Sequence, residues 1–97
     1  MTVNISPQVE DFIRRQAPQP RRFLRAALRA LEREKGDIKA LEHGLAGYYR
    51  LRVRSYRILF AYRIPPRGGS AQIDCIYCER RSIVYDLFTR LASTIKS

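Results

Sequence analysis

Between Tyr48 and Ile64 the chain alternates between two kinds of side chain. Tyr49, Leu51 and Val53 fall on one parity, and Arg50, Arg52 and Arg54 on the other. After Ser55 the alternation resumes: Tyr56, Ile58, Phe60, Tyr62 and Ile64 share one face, with Arg57 and Arg63 opposite. A period of two is the pattern of a half-buried strand, and Ser55 permits a tight turn. The segment is therefore expected to form a β-hairpin with an apolar face, which something must cover, and an arginine face.

The cover comes from helical patterns on either side. Ser6 offers an N-cap oxygen and Pro7 suits a first helical position, and Val9, Phe12 and Ile13 follow at helical spacing, which predicts a short helix over Pro7–Gln16. Pro18-Gln19-Pro20 is expected to break it. Phe23, Leu24, Ala27, Leu28 and Leu31 then make an apolar stripe on a helix from Arg21 to Lys35, closed by Gly36. The connection is too short to separate domains, so the two helices are expected to form a hairpin. Thr2–Ile5 leans towards strand, Ile38–Leu41 is ambiguous, and Gln72–Cys78 reads as a third main strand after the loop Pro65–Ser70. Val84, Leu87, Phe88, Leu91, Ala92 and Ile95 mark a C-terminal amphipathic helix. The expected fold is α+β: an N-terminal helical hairpin packed on a small antiparallel sheet, with a C-terminal helix. Its 97 residues make one domain, 1–97.

Charge narrows the class of partner. Nineteen Lys and Arg against nine Asp and Glu give +10, with +3 in residues 1–45 and +7 in residues 46–97, and sixteen of the cations are Arg. The planar guanidinium binds phosphate through two nitrogens and stacks on bases, so a nucleic acid or another polyanion is the expected partner. No stretch has the roughly 20 apolar residues of a membrane span, and residues 1–7 have neither the basic nor the apolar region of a signal peptide. Cytoplasmic placement is expected, and no cofactor.

The strongest constellation is Arg50, Arg52, Arg54 and Arg57. Alternate strand residues stand about 6.5–7 Å apart, close to the phosphate interval of an extended nucleic-acid strand, and no acid interleaves with them in sequence. Glu79, Arg80, Arg81 and Tyr85 form a second cluster. Tyr85 is a candidate for proton transfer or base stacking, or a core aromatic; Glu79 is a general base or a salt-bridge partner of Arg80 or Arg81. Cys75 and Cys78, three apart on a strand, are expected to point to opposite faces, as buried small residues rather than metal ligands. His43 reads as a surface or capping residue. Arg21, Arg25, Arg29 and Arg33 form a ridge on the second helix, either solvated or available to an acidic partner.

Gly47-Tyr48-Tyr49-Arg50-Leu51-Arg52-Val53-Arg54-Ser55-Tyr56-Arg57-Ile58-Leu59-Phe60 resembles the central hairpin of the RelE/ParE toxin superfamily, and Arg80-Arg81-Ser82-Ile83-Val84-Tyr85 resembles its closing segment. The resemblance implies the toxin of a type II toxin–antitoxin pair, with an acidic antitoxin as partner and mRNA on the ribosome as substrate, cleaved by 2′-OH attack without metal. By position it makes Arg50 and Arg52 phosphate contacts, Arg57 the arginine that stabilises the transition state, and Tyr85 the catalytic or stacking tyrosine. Glu79 stands where many members carry a basic residue or a histidine; Arg81 then takes the catalytic place, with Arg80 beside it on the RNA, or Glu79 acts as a base. Arg54 replaces the usual turn glycine and becomes a binding candidate. The alternatives are a ParE-like inhibitor of DNA gyrase and a catalytically silent member that binds RNA or its antitoxin only.

Overall fold

The computed structural model of the protein describes residues 1–42 and 44–80. The expected C-terminal helix, Arg81, Tyr85 and His43 lie outside the described residues. The described chain is α+β, in the order β1 (Val3–Ile5), α1 (Pro7–Arg14), α2 (Pro18–Leu31), β2 (Asp37–Ala40), β3 (Tyr48–Val53), β4 (Tyr56–Arg63) and β5 (Gln72–Arg80).

Ser6 caps α1 as expected: its Oγ accepts the Val9 amide at 3.2 Å. The same hydroxyl donates to the Ile76 carbonyl, and the Ser6 amide donates to the Cys75 carbonyl at 2.9 Å, so one residue starts the helix and pins it to β5. Pro18 and Pro20 do not precede α2 but open it. In a first turn the missing N–H groups have no helical acceptor to lose, so the prolines cost the helix nothing there. At the other end the left-handed residue is Glu34, with φ +53, rather than Gly36. Gly36 has a different duty: a Cβ there would stand 2.7 Å from Leu51 Cδ1, at φ +138.

The five strands form one sheet in the order β1-β5-β4-β3-β2. It is mixed, not antiparallel as expected, because β1 runs parallel to β5 in the register Val3↔Ile73 to Ile5↔Cys75. A three-residue strand carries no sequence mark of its pairing direction. Here Asn4, donating to Gln72 and Asp74 across the pair, and the Thr2 carbonyl, accepting from the Ile73 amide, hold the register. The ambiguous segment after Gly36 is β2, antiparallel to β3.

One side of the sheet meets the helices. Val9, Phe12 and Ile13 of α1 and Leu24, Leu28 and Leu31 of α2 join Leu51, Val53, Tyr56, Ile58, Phe60 and Ile73 in one buried core. Tyr56 anchors it, with its ring edge-on to Phe12 at 5.8 Å and its hydroxyl donating to Gln16. Cys75 and Cys78 also belong to this core, on the same face. The expectation of opposite faces fails because the β4–β5 ladder shifts register: Leu59 pairs with Tyr77 but Phe60 with Cys75, leaving Ile76 as an extra residue. The bulge reverses the parity, so residues three apart point the same way. Burial pushes both thiols up to about 12, and both are unpaired cysteines deep in the core.

Candidate nucleic-acid interface on the outer sheet face

The outer face is assembled by register. Asp37 pairs with Arg52, Arg52 with Arg57, and Arg57 with Glu79, so a single row crosses four strands as acid, arginine, arginine, acid. The adjacent row on this face is Lys39, Arg50, Leu59 and Tyr77. The strands separate neighbours in a row by about 5 Å and the rows by about 7 Å. Three arginines from two strands thus occupy a patch the size of a dinucleotide step.

Their environments differ. Arg50 is drawn down, with its side chain 16% exposed, and Nη1 donates to both the Asp37 carbonyl and Oδ1 at 3.2 Å. Arg52 stays open at 53% exposure, with its Nε 3.9 Å from Asp37 Oδ2. Arg57 is buried, at 5%, and its Nη1 donates to the carbonyls of Arg54 and Tyr56, each at 2.9 Å. A guanidinium fixed in this way is pre-oriented, and it also ties down the hairpin turn. The face looked free of acid in sequence because Asp37 is remote along the chain; β2 brings it opposite Arg52.

Arg54 does not join them. It is the first of two turn residues between Val53 and Tyr56 and has φ +55, in the left-handed region that tight hairpin turns assign to glycine. Its guanidinium carbon lies 4.6 Å from the centroid of Phe23 on α2, on the helix side. Arg80 pairs with Tyr56 and so also takes the helix-side register. Glu79, by contrast, belongs to the outer row; its Oε1 accepts the Arg80 amide at 3.0 Å. Arg63 sits at the far end of β4, bound to Asp74 at 2.7 Å and to Gln72.

Two residues of this face were not singled out by sequence. Asp37 was hidden in the ambiguous segment. Tyr77 was hidden by the bulge, which places it beside Leu59 among Leu41, Leu45, Tyr48 and Ile76. Burial, and then the Glu79 carboxylate, raise the Tyr77 hydroxyl above its usual value, so it stays a neutral donor at physiological pH. Among the described residues no three His, Cys, Asp or Glu gather into a group that could hold a metal ion, and no helix is long and apolar enough to cross a membrane. Chemically the face gathers three guanidinium groups, of Arg50, Arg52 and the buried Arg57, one carboxylate beside them in Glu79, and an aromatic donor in Tyr77.

No family model matches the sequence, and no curated protein matches it. Solved structures do share its fold. A YoeB/ParE toxin from Agrobacterium tumefaciens is 17% identical over 84% of this chain and 99% of its own, with a TM-score of 0.65. The toxin–antitoxin complex RelBE2 from Mycobacterium tuberculosis aligns over 82% and 96% at 23% identity, with a TM-score of 0.64. The RelB–RelE antitoxin–toxin complex from Methanococcus jannaschii aligns over 88% and 98% at 22% identity, with a TM-score of 0.60. The chain therefore has the fold of the RelE/ParE-type toxins over nearly the whole length of those neighbours.

Proposed function

We propose that this chain is the toxin of a toxin–antitoxin pair and an endoribonuclease that cleaves mRNA on the ribosome. The observation that carries the reading is the row Asp37–Arg52–Arg57–Glu79 on the outer face of a sheet with the RelE-type fold. Single-stranded RNA lies across that face, with Arg50 and Arg52 holding successive phosphates. The 2′-OH attacks the adjacent phosphorus, the P–O5′ bond breaks, and a 2′,3′-cyclic phosphate and a 5′-OH result. The pentacoordinate intermediate gains negative charge, which pre-oriented arginines stabilise more than they stabilise the substrate. Arg57 meets that requirement because its guanidinium is already fixed by two carbonyls. Glu79, in the same row, takes the 2′ proton; Arg81 and Tyr85 keep the roles that the resemblance implies, stabilising the phosphorane and donating a proton to the leaving oxygen or stacking on a base. The nucleophile belongs to the RNA, so the reaction calls for no metal. Two of the structural neighbours are bound to RelB-type antitoxins; an acidic antitoxin that neutralises this +10 chain is the matching partner.

The test is cleavage on programmed ribosomes, mapped by primer extension, for wild type and Arg52→Ala. Arg52 is the variant of choice because it is exposed and holds no turn together. Cuts within the decoding-site codon that weaken in the variant, chiefly through a raised KM, support the reading. An absence of cuts from folded wild type overturns it and favours a gyrase inhibitor or a silent binder.

A further inference from the structure

Arg50, Arg52 and Arg57 lie on the sheet face turned away from the helices. A second basic surface lies on the opposite side of the sheet. The outward side of α2 borders a groove lined by Arg21, Arg22, Arg25, Arg29, Arg54 and Phe23. These five arginines come from a single helix and one hairpin turn. Arg25 is paired with Glu10 at 3.2 Å, but among the described residues Arg22 and Arg29 have no carboxylate partner. Arg54 is fixed in place by its position over Phe23 rather than by an acid.

Two local costs are accepted to build this surface. Arg21 and Arg22 sit in the opening turns of α2, where the helix dipole disfavours cations, and no acid stands in the first turn. Arg54 occupies a left-handed backbone position where glycine would be unstrained. Both costs are offset when an anion lies in the groove.

We infer that this α2 groove is a second nucleic-acid surface, which takes the phosphate backbone of double-stranded RNA. Arginines four apart on a helix stand about 6 Å apart, so Arg21, Arg25 and Arg29 leave the helix at regular intervals that suit phosphates held at fixed spacing by a duplex. A helical peptide is the poorer fit. Such a partner needs apolar anchors at i, i+3, i+4 and i+7, and here the helix offers Ala26 and a Phe23 ring already covered by Arg54. A backbone of phosphates needs charge and little apolar burial. The choice of RNA over DNA rests on the function proposed above; the surface itself does not.

Fluorescence anisotropy with a short blunt RNA duplex tests the inference. Arg22 and Arg29 are exposed, so Arg22→Glu with Arg29→Glu leaves the core intact, which circular dichroism checks. The double variant is expected to lose about tenfold or more in affinity at low salt, with the slope of log K against log salt falling by roughly 2. The control Lys35→Glu with Arg67→Glu makes the same change in net charge elsewhere and is expected to stay near wild type, and Arg52→Ala is expected to keep duplex binding. Equal loss in the control, or no loss in the α2 variant, overturns the surface. Tighter binding of poly-glutamate than of the duplex overturns it in favour of an acidic protein, and equal affinity for a DNA duplex overturns the assignment to RNA.

Discussion

Asp37 holds Arg50 by two contacts and stands near Arg52, so any phosphate that reaches this pair must compete with a carboxylate already there. Asp37→Asn keeps the shape and removes the charge. It is expected to tighten binding of single-stranded RNA several-fold, since an exposed pair is worth up to about 1 kcal/mol, as read by anisotropy; weaker binding would mean that Asp37 orients the arginines rather than occupying them. Arg54 poses a different balance. A non-glycine residue in the left-handed region costs about 1–3 kcal/mol, and a cation over a partly buried ring returns about 0.5–2 kcal/mol. Arg54→Gly removes both and is expected to match or exceed wild type in urea denaturation. Arg54→Ala keeps the backbone cost and loses the ring contact, so it is expected to be the least stable of the three.

At the scale of elements, the connection from α2 to β2 runs close against β3 at Gly36. Gly36→Ala would place a methyl 2.7 Å from Leu51 Cδ1 at a φ of +138, and a loss of about 2 kcal/mol or more is expected, measured by the denaturation midpoint. The parallel β1–β5 edge depends on Asp74. Asn4 foremost holds its carboxyl below the ordinary value of 3.8; burial, next in size, opposes this, and the hydrogen bond and charge of Arg63 add to the lowering. A lowered folded value means that the unfolded chain binds the proton first. The stabilisation is whole at neutral pH and is lost as pH falls from that ordinary value down through the folded one. Asp74→Asn is therefore expected to flatten the loss of stability in this acid range; an unchanged acid limb would show that the Asn4 and Arg63 contacts do not stabilise the fold. Much of this layer was legible. The alternation from Tyr48 to Ile64 placed β3, the turn and β4 because side-chain parity is a local property of a strand. β2 was not legible, because four mostly exposed residues on an edge need no pattern. The parity of Cys75 and Cys78 was not legible either, because a bulge is set by pairing with β4. Nor was the opening of α2, where Pro18 and Pro20 signal a break and a start equally well.

For the whole molecule, the single sheet divides the charge. One side carries the Asp37–Arg52–Arg57–Glu79 row, and the other carries helices whose outward side is again basic. The sequence announced the total of +10 and the first of these faces. It could not show that Arg54 leaves that face for Phe23, or that Asp37 enters it, since both follow from contacts between distant segments. Whether RNA lies on the Asp37–Arg52–Arg57–Glu79 row is tested with a non-cleavable oligoribonucleotide, blocked at its 2′ oxygens, titrated into isotope-labelled protein and followed through the arginine Nε–H resonances. Saturable shifts are expected at Arg50, Arg52 and Arg57 and at the β3 and β4 amides, with Arg63 unmoved. Shifts confined to α2, or none on the outer face, would contradict this.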